Sequence, residues 1–342
     1  IAATPRPRRG DSVETGAHLR YASVSDETGG VSCQRSKRTR SVARRDFHHR
    51  MILSERSAEI LALDIRGFVF FGAAAALLAR LKREAGVDDE DEAPSPVSWV
   101  VLDCSDCAGV DATAVRACFV PFQQLLLQKR AKLLFCGLRP HVRESLERHG
   151  ADLNRACFKT ADAALEAAED ALLKRATAGQ PTQRPPDSFD ELRPLENAAR
   201  PLEEILGEYL EDEKRDLAAA AGDLGKYFSR HSISQGDALF AHGDEAKTIY
   251  VVHAGTVDLK QAGKRIARVK RGGVLGELCF LLRHRQSLDA AAATHVDLWS
   301  LTRDSYDAMR RDQPVLHGLI QTALLKSMAL QVSEGLSIGN WG

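Results

Sequence analysis

Part-way along the chain the apolar residues change their period, and that change constrains the fold more than any other feature. From Ile60 to Lys174 short apolar runs alternate with stretches of helical spacing. Trp99-Val100-Val101-Leu102-Asp103 reads as a strand buried on both faces, and Lys132 to Cys136 as another apolar strand. Ile60 to Ile65 and Phe68 to Phe71 read as two strands with a kink at Arg66-Gly67, and Cys157-Phe158 as the beginning of a last short strand. Between them lie helical patterns: Ala73 to Ala85, Val115 to Lys129, Val142 to Arg148 closed by His149-Gly150, and Ala161 to Lys174. This alternation predicts an α/β unit, a mixed sheet with packed helices. From Tyr227 the pattern turns to short strands separated by Gly236-Asp237, Gly243-Asp244, Gly255 and Gly272-Gly273. Even turn spacing of that kind predicts a mainly-β roll or jelly roll. A helix over Arg303 to Arg311 and a longer one from Pro314 to about Val332 complete it.

Two such units fit the 342 residues. The expected boundaries are a basic arm at 1–50, the α/β domain at 51–176, a linker at 177–221, the β-roll at 222–332 and a tail at 333–342. The linker opens with Gly179, Pro181, Pro185-Pro186 and Pro194, which favour extended chain. It continues with Leu202, Ile205, Leu206, Tyr209 and Leu210 as an apolar stripe expected to dock on the following domain.

Formal charge balances at 47 basic and 47 acidic residues, so nothing global draws the chain to nucleic acid or to an anionic surface. The arm alone is basic, with 11 Lys or Arg against 5 Asp or Glu. Without periodic apolar residues it is expected to be disordered, and without aromatics among its basic pairs it is expected not to bind nucleic acid. The seven cysteines are odd in number and read as reduced thiols; Cys104-x-x-Cys107 has no second pair at zinc spacing, so no metal is expected. No apolar stretch reaches bilayer length and no secretory signal is visible, while the start at Ile1 rather than Met suggests a piece of a longer protein.

The run Ile65-Arg66-Gly67-Phe68-Val69-Phe70-Phe71-Gly72, with Val101-Leu102-Asp103-Cys104-Ser105 and Gly109-Val110-Asp111-Ala112-Thr113-Ala114, resembles a STAS domain. The paired aromatics before Gly72, and Ala164-Leu165-Glu166 leading into Glu169-Asp170-Ala171-Leu172-Leu173, are most similar to the STAS regions that follow the membrane part of SulP anion transporters. In STAS relatives that antagonise anti-sigma factors, a serine at the start of the next helix is phosphorylated, and Thr113 matches that acceptor position. A phosphate there would meet free N–H groups at a helix N-terminus. Asp111 or Thr113 can equally serve as an ordinary helix cap.

Gly236-Asp237, Ile249 to Gly255, Gly276-Glu277-Leu278 and Leu298 to Tyr306 together resemble the cyclic-nucleotide-binding fold. In that family a short helix forms a phosphate cassette: its backbone N–H groups and one arginine hold the cyclic phosphate, and a glutamate accepts from the ribose hydroxyl. By this resemblance the binding residues are Gly276, Glu277, Leu278, Arg285, Gln286 and Ser287, for cyclic AMP or cyclic GMP. An ungapped count from Glu277 to Trp299 sets Gln286 at the arginine position and Arg285 at that of the usual proline, while a one-residue shift lets Arg285 serve; Arg283 is a further candidate. A β-roll that kept its fold and lost its ligand is the other reading.

The resemblance implies a non-catalytic regulatory region of a sulfate or other anion transporter, on the cytoplasmic side of a membrane. Its partners would be the transporter's membrane part, upstream in the same chain or on another subunit, and proteins bound through the STAS domain. Arg35 to Arg45 would then suit an anionic membrane surface. The alternative is a free-standing cytosolic switch that binds a protein partner. An enzyme is not expected: no phosphate-cradling G-x-x-x-x-G-K occurs, and His48-His49, His141, His149, His231, His253 and His284 are scattered, most expected at the surface.

Overall fold

The computed structural model describes residues 30–87, 95, 97–154, 156–177, 201–210 and 213–338. The first unit runs β1 (Ser32–Arg35), β2 (Ala43–Arg44), α1 (Phe47–Glu55), β3 (Ile60–Val69), α2 (Phe71–Ala85), β4 (Trp99–Asp103), β5 (Cys107–Val110), α3 (Ala112–Ala114), a π turn over Val115–Phe119, α4 (Val120–Gln128), β6 (Lys132–Cys136), α5 (Pro140–Arg148), β7 (Cys157–Phe158) and α6 (Ala161–Thr177). Its sheet has the order β1-β3-β4-β6-β7, with β5 on the far half of β3. The central pairings are parallel, and β1 lies antiparallel to β3. Successive residues of a strand face opposite layers. Val100, Leu102, Leu133 and Phe135 meet Leu77, Leu81, Phe122 and Leu126 on one side. Trp99, Val101, Leu134 and Cys136 meet Ala164, Leu165, Ala168 and Ala171 of α6 on the other.

The kink expected at Arg66-Gly67 does not divide the strand. β3 runs unbroken through Gly67, changing neighbours from β4 to β5 there. Gly67 sits at φ 87°, and a Cβ would fall 2.1 Å from the Gly30 carbonyl oxygen, so only glycine lets the chain pass.

The second unit comprises α7 (Leu202–Gly207), α8 (Lys214–Tyr227), β8 (Phe228–Ile233), β9 (Ala238–Phe240), β10 (Thr248–Ala254), β11 (Val257–Gln261), β12 (Lys264–Val269), β13 (Val274–Leu275), α9 (Glu277–Leu282), β14 (Asp289–Ala292), β15 (Val296–Thr302), α10 (Arg303–Asp312) and α11 (Pro314–Ile338). Two sheets, β13-β10-β15-β8 and β2-β12-β11-β14-β9, face each other across Val252, Val257, Leu259, Val269, Val296 and Leu298. The stripe Leu202, Ile205, Leu206, Tyr209 and Leu210 packs with α8, α10 and α11. Buried Tyr209 donates its hydroxyl to the Gly272 carbonyl at 3.1 Å.

Several expectations need correction. Residues 31–50 of the arm are structured rather than disordered: β1 pairs with β3, and β2 adds itself to the β-roll's second sheet as a strand parallel to β12. Pairing satisfies their backbone groups, and Glu84, Asp162, Glu169 and Asp170 of the first unit pair with Arg35, Arg38 and Arg45. Arg45 is buried, so it is not available to a membrane surface. The last helix continues to Ile338, beyond the boundary expected near Val332. His49 and His253 are buried, not superficial. Residues 1–29, the proline-rich part of the linker (Gly179 to Pro194) and the end of the tail (339–342) lie outside the described residues.

The cysteines are free thiols, buried except for half-buried Cys157. Burial pushes the Cys33 and Cys118 thiols up to about 12, and Cys104 well above its ordinary range. Among the described residues no helix is long and apolar enough to cross a membrane, and no cluster of three or more His, Cys, Asp or Glu is arranged to hold a metal ion.

Candidate functional site

The cassette begins where β13 turns into α9 through Gly276, held at φ 80°. A Cβ there would lie 3.1 Å from the Thr248 carbonyl oxygen and 3.2 Å from Gln286 Nε2, so glycine lets these segments close together. Glu277 follows, buried, its Oε1 accepting from Gln331 Nε2 of α11 at 2.8 Å. Burial raises this carboxyl above the ordinary carboxylate range, while the Gln331 hydrogen bond and the charges of Arg44 and Arg50 pull it partly back.

The structure brings Gly276, Glu277 and Gln286 to the inner side of the cassette and turns Leu278 and Arg285 outward. Gln286 is buried, and its backbone is clamped to the turn before β10, with N donating to the Asp244 oxygen and O accepting from Gly243 N, both at 2.8 Å. Arg285 is exposed and donates from Nη1 to the Gly243 carbonyl at 2.7 Å. Alternation explains the difference: Arg285 bridges Glu245, so the next residue faces the other way. Ser287 is exposed, with its hydroxyl 3.8 Å from the Cys279 thiol. Arg283 is exposed, in the left-handed conformation that ends α9. Arg303 lies over the Phe280 ring, 3.4 Å from its centroid, and donates to the Phe280 carbonyl.

In the first unit Thr113 is exposed in the opening turn of α3. The cap is Asp111: Oδ1 accepts from Ala114 N at 2.6 Å and Oδ2 from Phe71 N at 2.8 Å. One carboxylate thus ties together the starts of two helices. Phe68 and Phe71 are exposed around it.

Reading the sequence missed a third set of residues, which joins the units. Asp162, Glu166, Glu169 and Asp170 recur on one face of α6. Opposite stand bases of the β12 segment: Arg265 on Asp162 at 3.0 Å, Arg268 on Glu166 at 3.6 Å, and Lys270 on Glu166 and Asp170, each at 2.8 Å. The strap that carries β2 threads this contact. Ser41 N and Oγ donate to Glu169 at 2.9 and 2.6 Å, and Val42 N donates to Asp162 at 2.7 Å. Arg45 donates to Asp170 and, at 2.9 Å, to Glu169, with about 3% of its side chain exposed. Burial works against the Arg45 charge, and Asp170 and Glu169 outweigh it, raising the guanidinium further above its ordinary range. Asp46 caps α1 and meets Arg271 at 3.1 Å. Against burial, its hydrogen bonds to His49 and the charges of His49 and Arg271 hold its carboxyl down at about 2. A signal for this contact was present in the i, i+4, i+7, i+8 spacing of the acids and in Arg44-Arg45, but local pattern does not say which distant residues they meet.

Residues 51–164 match the STAS domain family and residues 230–313 match the cyclic nucleotide-binding domain family. Over 98 residues the chain is 30% identical to the cAMP-dependent protein kinase regulatory subunit of Eremothecium gossypii, covering 29% of this chain and 21% of that one. Over 90 residues it is 27% identical to the potassium/sodium hyperpolarization-activated cyclic nucleotide-gated channel 4 of Homo sapiens, covering 26% of this chain and 8% of that one. The chain therefore spans only 8% to 21% of the length of these two relatives. Among solved structures it is similar to a cyclic nucleotide-binding domain from Methylobacillus flagellatus, at 18% identity and TM-score 0.34, covering 39% of this chain and 79% of that one. It is also similar to the catabolite activator protein of Thermus thermophilus, at 29% identity and TM-score 0.31, covering 38% and 59%. Residues 51–164 are thus a STAS domain, and residues 230–313 are a cyclic nucleotide-binding-type domain with a β-rich fold and helices after it.

Proposed function

We propose that the chain is a non-catalytic regulatory unit in which the β-roll senses cyclic AMP or cyclic GMP and the STAS domain passes the response to a protein partner. The observation that carries this reading is Glu277, a carboxylate buried at the head of the cassette with a neutral amide as its hydrogen-bond partner. Keeping such a group out of water costs free energy, and a ligand hydroxyl donated to it would recover part of that cost. Both matched domains are of regulatory type, which supports a unit that binds rather than catalyses. The transported anion's side of the reading rests on the paired aromatics before Gly72 and the order of the STAS blocks. On that basis the partner is the membrane part of a SulP-type sulfate or anion transporter, in the same chain or another subunit, with this unit on the cytoplasmic side. Thr113, exposed beside Asp111, is the proposed phosphoacceptor.

Calorimetric titration of the full chain with cyclic AMP and with cyclic GMP tests the reading. Saturable binding is expected, weakened at least tenfold in Glu277→Ala, since hydrogen bonds to charged groups contribute about 1.5–3 kcal/mol. No heat and no thermal stabilisation at millimolar nucleotide would overturn it. A second reading, a β-roll without ligand, is favoured by one observation: Arg285 turns outward to Gly243 and a neutral amide, Gln286, takes the buried place. Binding that survives Arg285→Ala unchanged would mean that other groups hold the phosphate.

A further inference from the structure

Arg44 ends β2 and Arg45 follows it directly, and the two side chains reach different partners. Arg45 goes to α6 of the STAS domain. Arg44 donates from Nη1 to Gln331 Oε1 at 2.9 Å. The same amide donates from Nε2 to Glu277 Oε1 at 2.8 Å. A cation at its carbonyl end and a carboxylate at its NH2 end fix the amide's orientation, because the flipped form would set acceptor against acceptor. Gln331 also interrupts a pattern. Leu316, Ile320, Ala323, Leu324 and Ser327 are buried at helical spacing, and Gln331 is the next position of that stripe, a place an apolar side chain would ordinarily fill.

We propose that Arg44, Gln331 and Glu277 form an autoinhibitory latch, in which α11 occupies the carboxylate that the nucleotide ribose must reach and the strap at 41–46 reports its release to the STAS domain. The latch rests on the nucleotide reading above. A ribose hydroxyl donating to Glu277 Oε1 takes the acceptor atom that Gln331 Nε2 uses, so binding there displaces the amide and takes an acceptor from Arg44. β2 is two residues long and is tied to the β-roll by Arg268 N to the Val42 oxygen at 3.1 Å and Lys270 N to the Arg44 oxygen at 2.9 Å. So short a strand depends on its side-chain anchors, and a change at Arg44 acts on Arg45 one residue away, on the α6 side. Arg50 lies beside the same joint, donating from Nε to the Arg45 carbonyl at 2.6 Å.

The test uses the full chain and its Gln331→Ala variant, titrated with cyclic AMP by calorimetry while amide hydrogen exchange is followed over residues 41–46. Gln331→Ala is expected to bind about tenfold more tightly, the worth of one charge-assisted hydrogen bond removed from the competing state. Its strap is expected to exchange faster without nucleotide, and the unaltered strap to do so on adding nucleotide. Arg44→Ala should act in the same direction and add nothing to Gln331→Ala, because it works through that amide. Equal affinity and equal strap exchange in the two proteins, with nucleotide bound by both, overturns the latch and leaves the nucleotide reading intact. Weaker binding by Gln331→Ala also overturns it, making Gln331 a ligand contact. Absence of binding to either protein overturns both the reading and the latch built on it.

Discussion

The sheet of the STAS domain and the contact between its α6 and the β-roll are both buried, yet they are built from opposite materials. β4 and β6 hold Trp99, Val101, Leu102, Leu134 and Phe135 almost wholly out of water, with no charge among them. The α6 contact holds Arg45, Glu169, Asp170 and Lys270 at 8% exposure or less. An apolar core gains from burial itself and tolerates many shapes of neighbour. An ionic contact repays the loss of hydration only while every charge keeps its partner, so it specifies one register between the domains and fails abruptly when a partner is lost.

The largest expected effect is on that contact. Arg45→Ala leaves Glu169 and Asp170 facing each other without their guanidinium and should cost about 3–5 kcal/mol, read from urea denaturation; a loss below about 1 kcal/mol would mean the apolar packing alone holds the domains. Leu102→Ala, in the charge-free core, should cost about 2–5 kcal/mol through lost burial and a cavity. Its cost should not change between low and moderate acid.

Acid separates the two regions next. Asp46 is lowered from 3.8 to about 2, and Asp170 is also held below its ordinary range, by Arg45 and Lys270 against the burial that raises it. A carboxyl with a depressed folded value adds stability that is complete above its unfolded value and is lost as pH falls through its folded value. The thermal midpoint should therefore fall between 3.8 and about 2, the Asp46 window, and fall less in Asp46→Asn. Glu277 has the opposite sign. Its raised folded value subtracts stability at neutral pH, a penalty relieved as pH drops through that value, so Glu277→Gln should raise the midpoint at pH 7 and lose that advantage in acid. The smallest effects are local: Asp111→Ala should cost about 1 kcal/mol as a lost cap, and Thr113→Ala should stay within about 0.5 kcal/mol.

Much of the fold was legible in sequence because its signals are local. The apolar run at 132–136 is β6 to the residue, Cys157-Phe158 is β7, and the stripe from Leu202 to Leu210 packs as its spacing implies. The cassette was legible in part. Gly276 and Glu277 were found from their motif, but two alignments one residue apart made Arg285 and Gln286 exchangeable, and only the bridge from Glu245 to Arg285 decides which faces inward. Residues 31–50 were misread because β1 finds its partner about thirty residues away, at Arg66, and β2 finds its own at Arg268. Strands of four and two residues carry too little pattern to announce such partners.

By itself the sequence determined most of the strands and helices after Ile60 and the change from an α/β unit to a mainly-β one, since each follows from periodicity and turn chemistry within a few residues. Only the tertiary structure decided which charges meet: that Arg45 is held by α6, that Arg44 reaches Gln331, and that Gln331 in turn covers Glu277. Burial of a charge depends on partners hundreds of residues away along the chain. No local pattern encodes that distance; the packing of one domain against the other does.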